Sequence, residues 1–425
     1  MKVLGISTDT FLPQSHNLQV ALLASVCAVV YAPALNNGFI ADDYPFLALA
    51  DQFRTDFFVL FRVPPLNFRM TTFIVFEVLQ SAFGYRPEAF YAFNILLHFV
   101  NCLLLWKLVV LMDGPPTAGY LASMLFAVFH APQEAVMWPA AMGEALQGLL
   151  ILITLVLWLR RRYWLSLLCY CVALFTKESA PIVLVLLAII QWQRKEPVFS
   201  KAYGVFWIPT VAFGGLFLGL WSNNGFIQQR VYAFSPHALS VLVKSFHRLI
   251  WPWLYVLVVA FRLSTGMWMD AAMVKCLGLI SIAMAPYIFL TYASAVPSRH
   301  LYLASMVVAA TMAYALQRLT SVTLRRAFVC VFILYNVGYL WIRKDAQFEE
   351  RAAPTTALLE VLRTRPPTPI MIVGFPYPYP EIAKAVSRFA PGWTPDLIGV
   401  EGTGEPCAQC VKLRWDPRAR RYLEN

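Results

Sequence analysis

The sequence predicts an all-α polytopic membrane protein with a small α/β unit at its C-terminal end. Hydrophobic residues make up 59% of the 425 residues and charged residues only 13%, with a mean hydropathy of +0.61. A soluble domain carries about a quarter charged residues. The apolar residues also come in runs near the length a bilayer demands. Near Lys344 the composition changes, and from there charge density is ordinary and prolines are frequent. The net charge of +11 is therefore read as loop bias, with Lys and Arg marking cytoplasmic loops, and not as a nucleic-acid footprint.

The first run, residues 17–35, is read as a retained helix. Residues 1–16 hold Lys2 as their only basic residue, and no small-residue cleavage site closes the run. Further spans are expected near 89–112, 117–131, 145–160, 163–177, 181–193, 203–222, 237–261, 271–293, 300–318 and 326–343. That makes about eleven helices. With the N-terminus inside, the inward loops hold Lys107, Arg160, Arg161, Arg162, Arg194, Lys195, Lys201, Arg318, Arg325 and Arg326. The outward loops near 131–144, 178–180 and 294–299 are poorer in Lys and Arg, as the positive-inside rule requires.

Three outward segments stand out. Residues 36–89 are too long for a hairpin and too apolar for a solvated loop, and "NFRMTTFIVFEVLQSAFG" within them suits an interfacial helix with Arg69, Glu77 and Gln80 on its polar side. "HAPQEAVMWPAAMGEALQG" holds Glu134 and Glu144 at membrane depth, with Pro132 and Pro139 interrupting the helix. Broken backbone at that depth lines a cavity or is buried in protein. Residues 223–237 form a polar and aromatic connection. The chain thus divides into a membrane part, 1–343, and a small extracytoplasmic unit, 344–425. In the latter, "PIMIVGFPYPYPEIAKAVSRF" reads as strand then helix, and "VKLRWDPRARRYLE" as a strand pair.

Adjacent carboxylates open the first long loop, in "NNGFIADDYPFLALADQF". Asp42 and Asp43, walled by Phe39, Tyr44 and Phe46, are either an ordinary acidic loop or a partly desolvated base, since burial raises basicity. Neighbouring side chains diverge, so one reaches a cavity while the other orients backbone. Glu134, Glu144 and the pair Lys177–Glu178 are functional candidates because ionisable groups in membrane helices are costly. The alternatives are a neutralised ion pair and, for Lys177, snorkelling. Arg69, Lys177 and Arg299 would supply cations for the phosphate of an anionic lipid. His98, Asn94 and Asn101 share one helix face and read as a polar packing seam. Cys27, Cys102, Cys169, Cys171, Cys276 and Cys330 lie in apolar runs as small hydrophobes. "CAQC", Cys407 to Cys410, fits a disulfide, a redox pair or half a metal site, and an outward location favours the disulfide. His130, His237, His247 and His300 show no metal-ligand spacing, and no metal or organic cofactor is indicated.

"GFIADDYPFL" resembles the first extracytoplasmic loop of GT-C glycosyltransferases, which use polyprenyl-phosphate sugars. "NFRMTTFIVFEVLQSAFG…FYAFNILLHFVN", "FHAPQEAVMWPAAMGEAL", "LFTKESA" and "SRHLYLAS" are similar, in order, to motifs of the O-mannosyltransferase-like proteins that carry tetratricopeptide repeats and of their bacterial relatives. The likeness runs over most of residues 30–310 and implies a GT-C-like bundle. It implies an inverting transfer of a sugar from a polyprenyl-phosphate donor to an acceptor hydroxyl on the extracytoplasmic face. Asp42, with Asp43 beside it, then stands at the general base. Arg69, Lys177 and Arg299 fall at the motif cations, and Glu134, with Glu144, Glu178 and His130, at the polar cavity positions. The chain departs from the pattern at Met70 after Arg69, Ala131 after His130 and Gly143 before Glu144, and no tetratricopeptide repeats follow. The acceptor is a protein, a glycolipid or a polysaccharide. The absence of any N-x-Ser/Thr sequon points to a bacterial cytoplasmic membrane. The rival class is a transporter or flippase for a lipid-linked or anionic substrate, which would show inverted-repeat hydropathy and charges at the midplane.

Overall fold

The computed structural model describes residues 15–56, 58–59, 69–219, 235–291, 294–402 and 410–424. Most of the 223–237 connection and Cys407 lie outside these residues. Among the described residues sixteen α-helices precede the first strand: α1 His16–Tyr31, α2 Asp43–Thr55, α3 Met70–Phe83, α4 Pro87–Leu111, α5 Pro116–Val128, α6 Glu134–Met137, α7 Met142–Leu159 and α8 Tyr163–Leu174, then α9 Ile182–Gln193, α10 Lys201–Gly219, α11 His237–Ile250, α12 Trp253–Thr265, α13 Ala271–Met284, α14 Tyr302–Arg318, α15 Val322–Gly338 and α16 Asp345–Thr364. Local chemistry marks their limits. Pro87 and Pro116 start α4 and α5, where a missing N–H costs nothing. Asp270 and Ser321 cap α13 and α15 by accepting the N–H of Met273 and Leu324. Gly266, at φ 77°, ends α12 in the left-handed conformation.

Helix is found at each expected span, but the count of about eleven crossings is not carried by length. Among the described residues six helices are long and apolar enough to cross a bilayer: His16–Asn36, Pro87–Leu111, Pro139–Leu159, Lys201–Gly219, Ser298–Arg318 and Val322–Thr364. The chain is an integral membrane protein. The expected span 237–261 is two helices, α11 and α12, bent by 67° at Trp251 and Pro252, and counting the pair as one span makes seven. Proline at the junction lacks the N–H that would continue α11. Four others, α5, α8, α9 and Ala271–Tyr287, are shorter. At 1.5 Å per residue the twelve-residue α8 and α9 cover about 18 Å, against a hydrocarbon core of about 30 Å.

The core is built around α4 and α14. Helix α4 packs on α1, α5 and α7, and α14 on α5, α12 and α13. The expected polar seam of α4 is buried there: Asn94 donates to Val136 O and Trp138 O, and Asn101 donates to Ala145 O and Tyr302 Oη. Cys27 and Cys102 are buried, whereas Cys330 is exposed on the bundle surface.

Helix α15 passes through a π-helical turn, Tyr339–Lys344, directly into α16. Beyond α16 come β1 Ile370–Val373, α17 Pro380–Ser387, β2 Ile398–Val400, β3 Val411–Asp416 and β4 Arg421–Glu424. The strands form one sheet in the order β2-β1-β3-β4, with β1 parallel to both neighbours and β3–β4 an antiparallel hairpin. Strand β2 had no clear signal in the sequence, being three residues long. Cys410, which precedes β3, is disulfide-bonded. This unit does not hang free. Phe389, beyond α17, packs on Tyr44 of α2 and on Tyr85, at ring distances of 5.6 and 4.7 Å.

Candidate functional site

The first loop leaves the end of α1 and enters α2 through a turn with Ala41 at φ 36°, a left-handed value unusual for alanine. That turn separates the two aspartates. Asp43 is fully buried, and its carboxylate accepts the Ile40 N–H at 2.7 Å and the Ala140 N–H at 2.6 Å, so it ties the first loop to the break at Pro139. Burial pushes its carboxyl well up, against the two N–H bonds. Asp42 is only half-buried, and among the described residues nothing donates to its carboxylate. Burial pushes it above the ordinary carboxylate range, and the guanidinium groups of Arg299 and Arg351 pull against that.

Those two arginines share one carboxylate and one ring. Arg299 Nη1 lies 3.4 Å and Arg351 Nη1 3.3 Å from the two oxygens of Glu134. Both guanidinium groups sit over the indole of Trp138, at 5.3 and 4.3 Å from the ring centre. Burial would raise Glu134, but Arg299 and Arg351 hold it below its usual value. The contacts to Glu134 are longer than the 2.7–2.9 Å or so of a tight charge-assisted bond. Lys344, in the π-helical turn, adds its charge to the same group.

A second cluster follows from the next residue of the chain. His300 and Lys177 both contact Glu144 Oε1, and Lys177 Nζ is 3.0 Å from His300 Nδ1. Tyr287 donates to Glu144 Oε2 at 3.1 Å and stacks on the His300 ring at 4.6 Å. Lys177 is buried, so it does not snorkel. Beside the cluster lies a cleft, polar at Glu144, Gln147, Ser179 and Tyr287 and apolar at Ile151 and Ile182. Arg69 makes a two-pronged pair with Glu178, at 2.8 and 3.3 Å. Burial raises Glu178, but the charge and hydrogen bonds of Arg69 bring it to about 2.

The structure therefore brings Asp42, Asp43, Glu134 and Arg299 together and gives Arg69 and Lys177 carboxylate partners of their own. Glu144 and Glu178 are those partners. His130 turns elsewhere: its Nδ1 meets Asn336 Oδ1 at 2.5 Å, and its ring packs on Tyr339. Sequence reasoning missed Arg351, Lys344 and Trp138. Arg351 lies in the charged tail segment, where composition speaks for solvent, and only the unbroken helical run from α15 could have led to it. Tyr287 carried no signal.

No protein-family model and no curated protein matches the chain. Among solved structures it is similar to the oligosaccharyltransferase of Archaeoglobus fulgidus, crystallised with a disulfide-tethered acceptor peptide. The likeness has a TM-score of 0.48 and 11% identity, and covers 90% of this chain and 64% of that one. The chain thus spans less than two thirds of that protein's length.

Proposed function

We propose that the protein is a membrane glycosyltransferase that moves a sugar from a polyprenyl-phosphate donor to an acceptor hydroxyl on the extracytoplasmic face, with inversion. The observation that carries this reading is the contrast at Asp42: a half-buried carboxylate to which nothing donates among the described residues, near two guanidinium groups that a third group holds in place. Asp42 takes the proton of the acceptor hydroxyl as that oxygen bonds to the anomeric carbon. The bond from the anomeric carbon to the phosphate oxygen breaks on the opposite side, and the lipid phosphate leaves with the electron pair. Arg299 and Arg351 meet the charge that develops on it, while Glu134 and Trp138 orient them. Arg69 and Lys177 would reach that phosphate by leaving Glu178 and Glu144. No step calls for a metal or organic cofactor.

The test is sugar transfer from labelled polyprenyl-phosphate sugars in proteoliposomes. Asp42→Asn is expected to lower transfer by about a hundredfold or more, the scale on which a general base acts, with donor binding retained. Full transfer by the double variant Asp42→Asn, Asp43→Asn overturns the reading.

A further inference from the structure

We propose that α1 and α4 together form a buried site for a thiophilic divalent ion, with Cys27, Cys102 and His98 as ligands and zinc as the ion that fits. The inference does not depend on the glycosyltransferase reading. Cys27 and Tyr31 lie one turn apart on α1, and His98 and Cys102 one turn apart on α4, so each pair shares a helix face. The two helices pack together. The two sulfurs and a ring nitrogen of His98 all lie within 4.8 Å of one another, and all three residues are fully buried. The sulfur of Cys102 is 4.0 Å from His98 Nε2.

A second observation points to a guest. The hydroxyl of Tyr31 is buried and has no hydrogen-bond partner among the described residues, while its ring stands edge-on to His98 at 5.3 Å. Two thiols packed as small hydrophobes would not call for a phenol turned to the same spot. His98 is also oriented as a ligand would be, with Nδ1 held 2.9 Å from Tyr302 Oη, which in turn takes a hydrogen bond from Asn101. Nε2, which donates to Ala127 O at 3.3 Å and lies on the side of Cys102, would exchange that hydrogen bond for the ion, the proton moving to Nδ1. Binding releases one proton from each thiol. Two thiolates then cancel the charge of a divalent ion, so the site is neutral in a medium where net charge is costly. Tyr31 closes the fourth side. The ion would staple the end of α1, from which the first loop runs to Asp42.

The experiment is metal analysis of the full-length protein, purified in detergent with a thiol-free reductant. One zinc per chain is expected, lost in Cys27→Ser, Cys102→Ser. Cobalt exchanged into the wild type should give the near-ultraviolet band of thiolate coordination. Tyr302→Phe should bind zinc about tenfold more weakly, as loss of an outer-shell partner does, and this variant serves if the double variant fails to fold. Zinc content unchanged in the double variant, no cobalt–thiolate band, or a Cys27–Cys102 disulfide in protein taken from membranes each overturns the proposal.

Discussion

At Asp42 and Asp43 the turn at Ala41 sets adjacent side chains in opposite environments, and the two should respond differently to the same substitution. In Asp43→Asn the amide keeps one acceptor and turns an NH2 towards either the Ile40 or the Ala140 N–H. The expected cost is about 1–3 kcal/mol, the range for an unsatisfied buried donor, read as a lower melting temperature. Asp42→Asn strands no donor and should shift stability by no more than about 0.5 kcal/mol at neutral pH. The pH dependence follows in sign. Burial raises Asp42 in the folded chain. Between its unfolded and folded values the folded chain binds more protons, so wild type gains stability over Asp42→Asn as pH falls through that window and loses it as pH rises. The acidic limb of transfer should likewise lie above the ordinary carboxylate range. Melting temperatures of the two proteins that run parallel with pH would contradict a raised Asp42. This division of labour was half legible. The aspartate pair and its aromatic walls stand in the sequence, but which carboxylate is pinned depends on Ala140, ninety-odd residues away.

Among the elements, the continuous run α15–α16 matters most, because it carries Arg351 from the membrane part to Glu134. Composition drew a boundary at residue 344, yet composition reports solvent exposure, not the end of a helix, and nothing in "WIRKDAQFEERAA" stops one. The π-helical turn at Tyr339–Lys344 holds one residue more than α-helical winding needs. The turn thereby absorbs its extra residue with the facing of α16 kept, whereas an alanine inserted after Gln347, in regular helix, rotates the rest of α16 by about 100° relative to α15. Arg351 then leaves Glu134 and Trp138. The variant should insert and stay folded but lose transfer and bind donor more weakly; full activity would show that the angle of α16 is immaterial. The same helix seats closely on the first loop. A Cβ on Gly38 would fall 2.6 Å from Thr356 Oγ1, and Thr355 donates to Phe39 O at 3.1 Å. Gly38→Val should therefore separate α16 from the loop and lower thermal stability, whereas Thr356→Ala in the same chain should restore much of it. Short helices such as α8 and α9 show the limit of hydropathy reading. It finds apolar segments, but tertiary packing decides how far each one crosses.

For the whole molecule, sidedness no longer depends on counting spans. Arg194 Nη2 donates to Leu111 O, Arg161 pairs with Glu196, and Gln317 reaches Thr117, so the short loop after α4 and the basic loops after α7, α9 and α14 meet at one end. Asp43 with Ala140, Arg299 with Glu134, and Thr355 with Phe39 gather at the other. The seventeen residues of α14 set these ends about 25 Å apart. Because α17 packs on α2 and α16 on the first loop, the C-terminal unit must share a side with Asp42 whether the chain crosses six, seven or eleven times. On the proposed reading the basic end faces the cytoplasm, as the positive-inside rule expects, and a disulfide at Cys410 suits the oxidising side. Pro197 and Pro378, both exposed, mark the two ends. Treated with a membrane-impermeant maleimide, intact spheroplasts should label Pro378→Cys above the native background and label Pro197→Cys only after permeabilisation. The reverse pattern would put Asp42 in the cytoplasm, where a donor presented from outside cannot reach it, and the proposed transfer would fall with it.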